Sequence, residues 1–485
     1  ITSEWSVANN TYWLNSYKAI TRCNTILNNL SRSAGKIPEQ TLTRYEAEVR
    51  FLRACQYSKL IFYFGDVVYY TEPLELDEAF EMGRTSQATV LQAIYQDFDF
   101  AAERLPTDYG ASGLQRATKG AAYGMKARTA LCAGDFAQAK TAAMACMELS
   151  TYKLHSDFSS LFLTSTKQSD EFVFTLPRSV EFNLTLSIQD VIPRNLGGWG
   201  AWSPTWELFS AFLCSDGLPI DESPLYDPHK PFSNRDPRCT ATIVEFETPH
   251  LGFMYQPHPD SLQVMNFNTG KKQTYNDTRS NAQFASFNGL LWNKGVDDTW
   301  LKNGYRVDPA KIILRYADVL LMYAEAKIEL NDIDQSVLDA INLVRARAYG
   351  VPAAETDKYP AVTTADQAGL RTILRTERRM EFAFEGRRYT DIIRWRLAEK
   401  VLNLPNYGML DPAELREKIV NKGLWFFPET PPIDENGIAD FSIMFNKGLI
   451  KKITQRSFDK NRQYLWPIPA KDILINSNLN QNPNY

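Results

Sequence analysis

The chain is poor in the residues that carry most catalytic and metal chemistry. Its 485 residues include four histidines and six cysteines, and no two cysteines are spaced as C-x-x-C. It contains no G-x-S-x-G nucleophile motif, no G-x-x-x-x-G-K-S/T phosphate loop and no H-E-x-x-H metal motif. The enzyme classes that use these motifs are therefore excluded, and the cysteines are expected to be small buried apolar groups. We predict no catalytic residue, no metal and no cofactor.

Charge and hydropathy argue against two further classes, nucleic-acid-binding proteins and membrane-spanning proteins. The formal net charge is -4, and no block of lysine or arginine provides the positively charged surface that nucleic acids require. No apolar run is long enough to cross a bilayer. The opening residues ITSEWSVANN have neither the charged region nor the apolar region of a signal peptide. We expect a cytosolic chain, or the mature or trimmed form of an exported protein, with no nucleic-acid partner.

Two short segments offer metal-binding side chains without a complete motif. Asp297 and Asp298, in GVDDTW, would supply two carboxylates to a calcium ion, but the segment lacks the ladder of acidic residues found in dedicated loops. His250 and His258 are the only histidines close together in the sequence. We expect these two histidines to lie on surface loops rather than to hold a metal.

Helical spacing dominates residues 1–150. Apolar and amide side chains share one predicted helical face at Trp13, Tyr17, Ile20, Asn24 and Leu27. Residues 42–64 are apolar on more than one face, which predicts a helix buried between neighbours. Residues 116–149 carry small side chains, among them Gly120 and Gly124, on one face and the turn sequence AGDF. This unit is similar to a tetratricopeptide repeat, whose open face needs further helices to cover it.

The remaining chain divides into three regions. Residues 311–400 again show helical spacing, with a pair at 314–348 and a further stretch at 368–400. Residues 151–310 are rich in proline and contain five of the ten tryptophans, and the alternation from Phe182 to Ile188 predicts a strand. Residues 401–485 are irregular. The predicted fold is mainly α: a scaffold of tetratricopeptide-type hairpins with a loop-rich, partly β insertion.

Three glutamates are predicted to share one helical face, at Glu377, Glu381 and Glu385. Like charges at this spacing repel one another, so the glutamates need cationic partners. The candidate partners are Arg387 and Arg388 or, from the neighbouring helical pair, Arg315 and Arg345. We interpret the set as an ion-pair clamp between packed helices. The alternative is a glycosidase that uses two of these carboxylates as acid and base.

Several stretches, taken together and in order, resemble the SusD/RagB family. They are YKAITRCNTIL (17–27), RACQYSKLIFYFGDV (53–67), RYADVLLMYAEAKIEL (315–330), INLVRARA (341–348), RTERRMEFAFEGRRYTDIIRW (375–395) and YLWPIPAKDILINSNLNQNPNY (464–485). The resemblance covers nearly the whole chain. One departure is Val68, which stands where the family commonly has the proline of GDVP.

The resemblance implies a surface-exposed outer-membrane lipoprotein of Bacteroidetes. Such a protein caps a TonB-dependent, SusC-like transporter and binds a nutrient, usually a glycan and sometimes a peptide, without catalysis. The family's lipidated cysteine would lie upstream of Ile1, so the lipid anchor is implied by the resemblance and is not read from this sequence.

The loop NLGGWGAWSP, at 195–204, places Trp199 and Trp202 among glycines, where an amphipathic helix is not expected. The C–H face of a sugar ring packs on an aromatic face, and its hydroxyl groups take polar partners. The candidate aromatic contacts are Trp199, Trp202, Tyr69, Tyr70, Tyr275, Trp292 and Trp300. The candidate polar contacts are Asn195, Asn276, Asp277, Arg279 and Asn293. The alternative is that these rings fill a small core beneath long loops.

Four functions therefore remain open from the sequence. A glycan-capture protein needs a shallow aromatic surface, whereas a peptide-capture protein needs a deep cavity with free backbone donors. A glycosidase needs two carboxylates in a cleft. A purely structural scaffold needs no exposed aromatic cluster. Glycan capture is the expected function.

Overall fold

Helices dominate the computed structural model, which describes residue 5, residues 7–110 and residues 116–485. A π-helical segment, Val7–Leu14, precedes the first α-helix. The α-helices are α1 (Asn15–Asn29), α2 (Glu39–Phe64), α3 (Leu76–Glu81), α4 (Gln87–Arg104), α5 (Lys119–Ala133), α6 (Phe136–Glu148), α7 (Trp206–Ala211), α8 (Arg238–Thr242), α9 (Tyr316–Glu329), α10 (Gln335–Ala348), α11 (Gln367–Glu381), α12 (Arg388–Arg394), α13 (Ala398–Val401), α14 (Pro412–Lys418), α15 (Ser442–Asn446) and α16 (Ala470–Ile475). None of the described helices is both long and apolar enough to cross a membrane.

The long helices form one scaffold in which each packs on the next. Contacts run from α1 to α2, α4, α5, α6, α9 and α10, and they enclose the largest hydrophobic core. Most side chains of α9 are buried, and its buried charged residues Asp318, Glu325 and Lys327 have ion-pair partners. A Cβ on Gly124 of α5 would lie 2.4 Å from Leu314, so the small residue permits this close approach. The predicted helical hairpins α5–α6 and α9–α10 are confirmed.

Strands are short and lie mostly in the insertion. They are β1 (Phe172–Leu176), β2 (Leu186–Ser187), β3 (Thr248–His250), β4 (Phe253–Tyr255), β5 (Gln263–Asn266), β6 (Lys271–Thr274), β7 (Arg306–Val307), β8 (Lys311–Arg315), β9 (Asn406–Gly408) and β10 (Lys451–Thr454). The four strands β3 to β6 form an antiparallel meander. The pairs β1–β8, β2–β7 and β9–β10 are also antiparallel.

The strand predicted from Phe182 to Ile188 is wrong in extent. Only Leu186 and Ser187 form a strand, because the chain reverses just before them. Asn183 has a positive φ of 54°, and Ser179 and Leu184 exchange two backbone hydrogen bonds across the turn. A tight turn of this kind interrupts the alternation, and Phe182 and Leu184 remain exposed.

Ion pairs surround the three glutamates predicted to share one helical face. Glu377 and Glu381 lie on α11, but the helix ends at Glu381, so the placement of Glu385 on it is wrong and this residue lies in the turn that follows. We call the set the buried charge cluster: Glu171, Asp236, Arg238, Lys294, Arg315, Arg345, Arg347, Glu377, Glu381 and Glu385. Arg315 bridges three of its carboxylates, with an Nη1 distance of 2.8 Å to Glu171 and 2.6 Å to Glu381, and an Nη2 distance of 2.7 Å to Glu385. Together these contacts tie the insertion to the scaffold helices.

The interpretation of these glutamates as an ion-pair clamp is confirmed. Arg345 pairs with Glu377 at 2.9 Å, as Arg315 pairs with Glu381 and Glu385. The alternative partners Arg387 and Arg388 are wrong. Arg387 lies 3.8 Å from Asp318, and Arg388 makes no ion pair or hydrogen bond within the described part of the chain. The guanidinium groups hold the pKa of the Glu381 carboxyl well below its usual range despite its burial.

His250 corrects the expectation that both paired histidines lie on surface loops. It ends strand β3 and is 8% exposed, whereas His258 is partly exposed. Burial lowers the pKa of His250 from 6.5 to about 4, because the charged imidazolium loses its hydration. The Nε2 atom of His250 has no hydrogen-bond partner among the described residues.

We expect His250 to make the fold sensitive to acid. The unfolded chain takes up this proton near pH 6.5 and the folded chain only near pH 4, so unfolding binds a proton across that window. The free energy of unfolding should therefore fall by roughly 3 kcal/mol as the pH drops through the window. Urea unfolding of wild type and His250→Gln at several pH values measures the difference. The variant should lose this part of the decrease, and exposed His229→Gln should retain it.

Candidate functional site

Two tryptophans project into solvent from the loop at residues 195–204. Trp199 is 53% exposed and Trp202 is 54% exposed, which is unusual for the largest apolar side chain. The loop begins within a 3₁₀ turn, Arg194–Leu196, and ends just before α7 begins at Trp206. Both indoles are therefore accessible, and their contact with a ligand stays a prediction.

Backbone hydrogen bonds hold this tryptophan loop against the preceding segment. The amide of Trp199 donates to the Gln189 carbonyl at 2.9 Å, and the amide of Gly200 donates to the Ile192 carbonyl at 2.9 Å. The amide of Trp202 donates to the Asp190 carbonyl at 3.1 Å. Hydrogen bonds therefore fix the backbone of the residues that carry the two indoles.

Glycine is required in this loop for close approach. A Cβ on Gly198 would lie 2.1 Å from the Ile192 carbonyl oxygen, and a Cβ on Gly197 would lie 2.3 Å from the Tyr305 hydroxyl. That hydroxyl donates to the Leu196 carbonyl at 2.8 Å. The glycines therefore explain why the loop can fold tightly onto its neighbours with two large rings outside.

We expect Gly198→Ala to disrupt the tryptophan loop. The added methyl group meets backbone atoms that cannot rotate away, so the free energy of unfolding should fall by about 1–3 kcal/mol. Gly83→Ala is the matched control, because its Cβ would find only one atom, at 3.8 Å. Thermal melts and the fluorescence of the exposed tryptophans would compare the two. Equal melting temperatures for both variants would contradict the close-approach argument.

A buried carboxylate positions the start of this loop. Asp277 accepts hydrogen bonds from the amides of Arg194 at 2.7 Å and Asn195 at 3.1 Å. Burial raises the pKa of Asp277, and these two hydrogen bonds oppose the rise. The Asn195 side chain donates to the Thr274 carbonyl at 2.9 Å and accepts from the Asn276 amide. Asp277 and Asn195 thus support the loop, and Asn276 is exposed beside them.

Phe284 is an exposed ring that the sequence-based selection missed. Its side chain is 66% exposed, and its carbonyl accepts a hydrogen bond from the Arg194 side chain at 3.0 Å. Arg194 therefore links the backbone of Phe284 to the base of the tryptophan loop. The flanking sequence NAQFASFNG, a polar loop with two phenylalanines, Phe284 and Phe287, was the available signal.

Two of the predicted aromatic contacts are buried. Tyr275 is 1% exposed, so the prediction that it faces a ligand is wrong. Trp300 is 5% exposed but lines, together with Trp292, a cavity of about 350 Å³, so its contact with a ligand stays a prediction. Each fills a small core of the insertion, as the alternative interpretation held. Trp292 is half-buried and stacks on Phe384, with ring centroids 3.9 Å apart, so one of its faces is already covered.

The remaining predicted contacts have structural partners. Arg279 pairs with Asp411 at 2.6 Å, and the Asn293 side chain donates to the Thr240 carbonyl at 2.8 Å. Tyr69 and Tyr70 are partly exposed and pack against the main helical core. Neither tyrosine has a described contact with the tryptophan loop. The candidate site is therefore centred on Trp199 and Trp202, with Asn276 and Phe284 at its edge.

Comparison with protein families decides the family of this chain. Residues 171–485 match the model described as the SusD family. The chain belongs to the SusD family. Residues 2–131 match a second model, described as starch-binding and associating with the outer membrane, which supports association with that membrane.

Other SusD-family proteins are similar over most of their length. A SusD-like protein of Formosa agariphila is 26% identical over 415 residues, which are 82% of this chain and 72% of the relative. A SusD-like carbohydrate-binding protein of Bacteroides fragilis is 29% identical with a TM-score of 0.81, and the match covers 99% of this chain and 87% of that one. A second SusD-like protein of the same species is 25% identical, with a TM-score of 0.76 and coverage of 100% and 88%.

Proposed function

We propose that this chain binds a glycan at the outer membrane through Trp199 and Trp202 and does not modify it. The observation that carries the proposal is that both indoles are more than half exposed on a loop fixed by backbone hydrogen bonds. An apolar ring of this size in water is unfavourable unless a partner covers it. The C–H face of a pyranose ring supplies such a partner, and the rigid indole loses little rotamer freedom on binding.

Family membership supports the same ligand class. The relative of known structure that is 29% identical is described as a carbohydrate-binding protein. An exposed aromatic surface favours a sugar over a peptide, which would need an array of free backbone donors. In the tryptophan loop the amides of residues 197–202 are already bonded to the preceding segment. Peptide capture is therefore the second candidate.

A glycosidase built on the α11 glutamates is not supported. Glu377 and Glu381 are completely buried, and each carboxylate is bonded to at least two guanidinium groups. A general acid or base must reach the proton it transfers, and neither of these carboxylates is exposed. Glu385 lines a cavity, but one carboxylate does not supply both the acid and the base. From the family resemblance we propose in addition that the chain passes its bound ligand to a TonB-dependent, SusC-like transporter. A lipid anchor would hold the chain at the cell surface.

Affinity electrophoresis and calorimetry test the proposal. The chain would be titrated with a panel of plant and host polysaccharides and with a mixture of peptides. We expect binding to at least one polysaccharide, accompanied by a change in tryptophan fluorescence and no release of reducing ends. Binding to peptides alone would select the second candidate. Release of reducing ends would overturn non-catalytic binding.

A further inference from the structure

A cavity of about 390 Å³ lies where the tryptophan loop joins the scaffold. Its walls come from residues 203–208, from the end of α11, from the start of α12 and from Arg456. This volume falls in the about 300–1,000 Å³ range of small-ligand sites. Ser203 follows Trp202 directly, so the cavity wall begins one residue beyond the exposed indole.

Arginine is the dominant charged residue of this wall. Five arginines line the cavity: Arg378, Arg379, Arg387, Arg388 and Arg456. Two of them lie near the carboxylates of Asp318 and Asp391. Arg378 pairs with Asp318 at 3.0 Å and with Asp391 at 3.2 Å, and Arg387 lies 3.8 Å from Asp318. Asp318 also pairs with Arg128, and Asp391 also pairs with Arg394.

Within the described residues, the other three arginines have one carboxylate at ion-pair distance, that of Glu207. Arg379 bonds only to backbone, donating to the carbonyls of Gly437 and Glu207 at 2.7 Å each. Arg456 donates to the Leu404 carbonyl at 2.8 Å and reaches the Glu207 carboxylate at 3.3 Å. Arg388 makes no hydrogen bond in the described residues, and its buried Nη2 has no acceptor.

The carboxylates of Glu207 and Asp391 line the cavity together with the five arginines, so positive charge is in excess there. Burial lowers the pKa of Arg388 to about 10, while the Asp391 carboxylate opposes this effect and Arg375 adds to it. Burial also lowers the pKa of Arg379 well below its usual value, with Arg388 adding to the effect and Glu207 opposing it. Burying a charge without a partner raises the free energy of the folded state, and an opposite charge placed beside it lowers that free energy again. Guanidinium groups match the oxygens of carboxylate and sulfate groups in paired hydrogen bonds.

We propose that this cavity binds an anionic substituent, a carboxylate or a sulfate ester, on the same glycan whose rings pack on Trp199 and Trp202. The ligand class is thereby narrowed from glycans in general to acidic glycans. This inference rests on the proposed function, because it assigns the charge of the ligand at that site. Arg388 is the principal contact, since its Nη2 is free.

Matched pairs of polymers test the inference in the full chain. The probes are polygalacturonate against its methyl ester, and dextran sulfate against dextran, each titrated calorimetrically. For at least one pair, the charged member should bind about tenfold tighter than its neutral counterpart. Arg388→Gln should remove that preference, and Arg456→Gln is a second variant that should reduce it. Exposed Arg32→Gln controls for non-specific attraction to a polyanion and should keep the wild-type preference.

The outcomes separate the two proposals. Equal affinity for both members of each pair, or an unchanged preference in both cavity variants, would overturn the acidic ligand and leave glycan binding intact. If the wild-type chain binds none of the polymers, the proposed function is overturned instead. A structural role for Arg388 predicts a lower melting temperature for Arg388→Gln, whereas an unpaired ligand contact predicts an equal or higher one.

Discussion

Replacing Glu381 by glutamine is expected to lower the free energy of unfolding by about 3–5 kcal/mol. The carboxylate is fully buried and is bonded to Arg238 at 2.9 Å, to Arg315 at 2.6 Å and to Arg347. Glutamine keeps the volume but removes the charge, so three guanidinium groups lose a shared partner. An amide N–H group directed at a guanidinium adds a second unfavourable contact.

Urea unfolding followed by circular dichroism measures this loss. Glu103→Gln is the matched control, because its ion pair with Arg104 is 69% exposed at the glutamate and should contribute less than about 1 kcal/mol. The Glu381 variant should unfold at clearly lower urea than the control. Equal midpoints would show that the buried charge cluster does not hold the insertion to the scaffold.

Removing both exposed indoles is expected to abolish measurable glycan binding. Trp199→Ala and Trp202→Ala should each weaken the affinity by about tenfold or more, because large aromatic side chains dominate binding where they occur. The fold should be unaffected, since substitutions at exposed positions usually change stability by less than about 0.5 kcal/mol. Affinity electrophoresis against the best polysaccharide measures the loss, and thermal melts check the fold.

Tyr45→Ala is the control for this double variant. Tyr45 is an exposed ring on α2, 39% accessible, so its removal tests whether any surface aromatic contributes. It should bind as wild type does. Retained binding in the double tryptophan variant would move the site elsewhere, with Phe284 or Tyr70 as the next positions to change.

The helical scaffold could be predicted from the sequence because its signal is local. Helical spacing identified α1, apolar residues on more than one face identified α2, and small residues with a turn identified α5 and α6. The sequence predicted that the α11 glutamates form ion pairs, but it identified only some of the cationic partners. Arg238 and Lys294 come from the insertion, and no local pattern reveals which distant cation a buried glutamate meets. The boundaries of the four sequence regions stay predictions.

The candidate site was predicted less completely, since exposure is a property of the folded chain. Trp199 and Trp300 look equally suited in the sequence, yet one is in solvent and the other fills a core. The distinguishing signal was the run of glycines, which only a tightly folded loop requires. Asp277 was chosen as a ligand contact, but its carboxylate is committed to two amides of the loop.

A crystal structure with a bound oligosaccharide tests the central claim most directly. The oligosaccharide would be a fragment of the polymer that binds best. The account predicts a sugar ring packed on the face of Trp199 or Trp202, with polar contacts near Asn276. A ligand held in another part of the molecule, with both indoles uncovered, would contradict it.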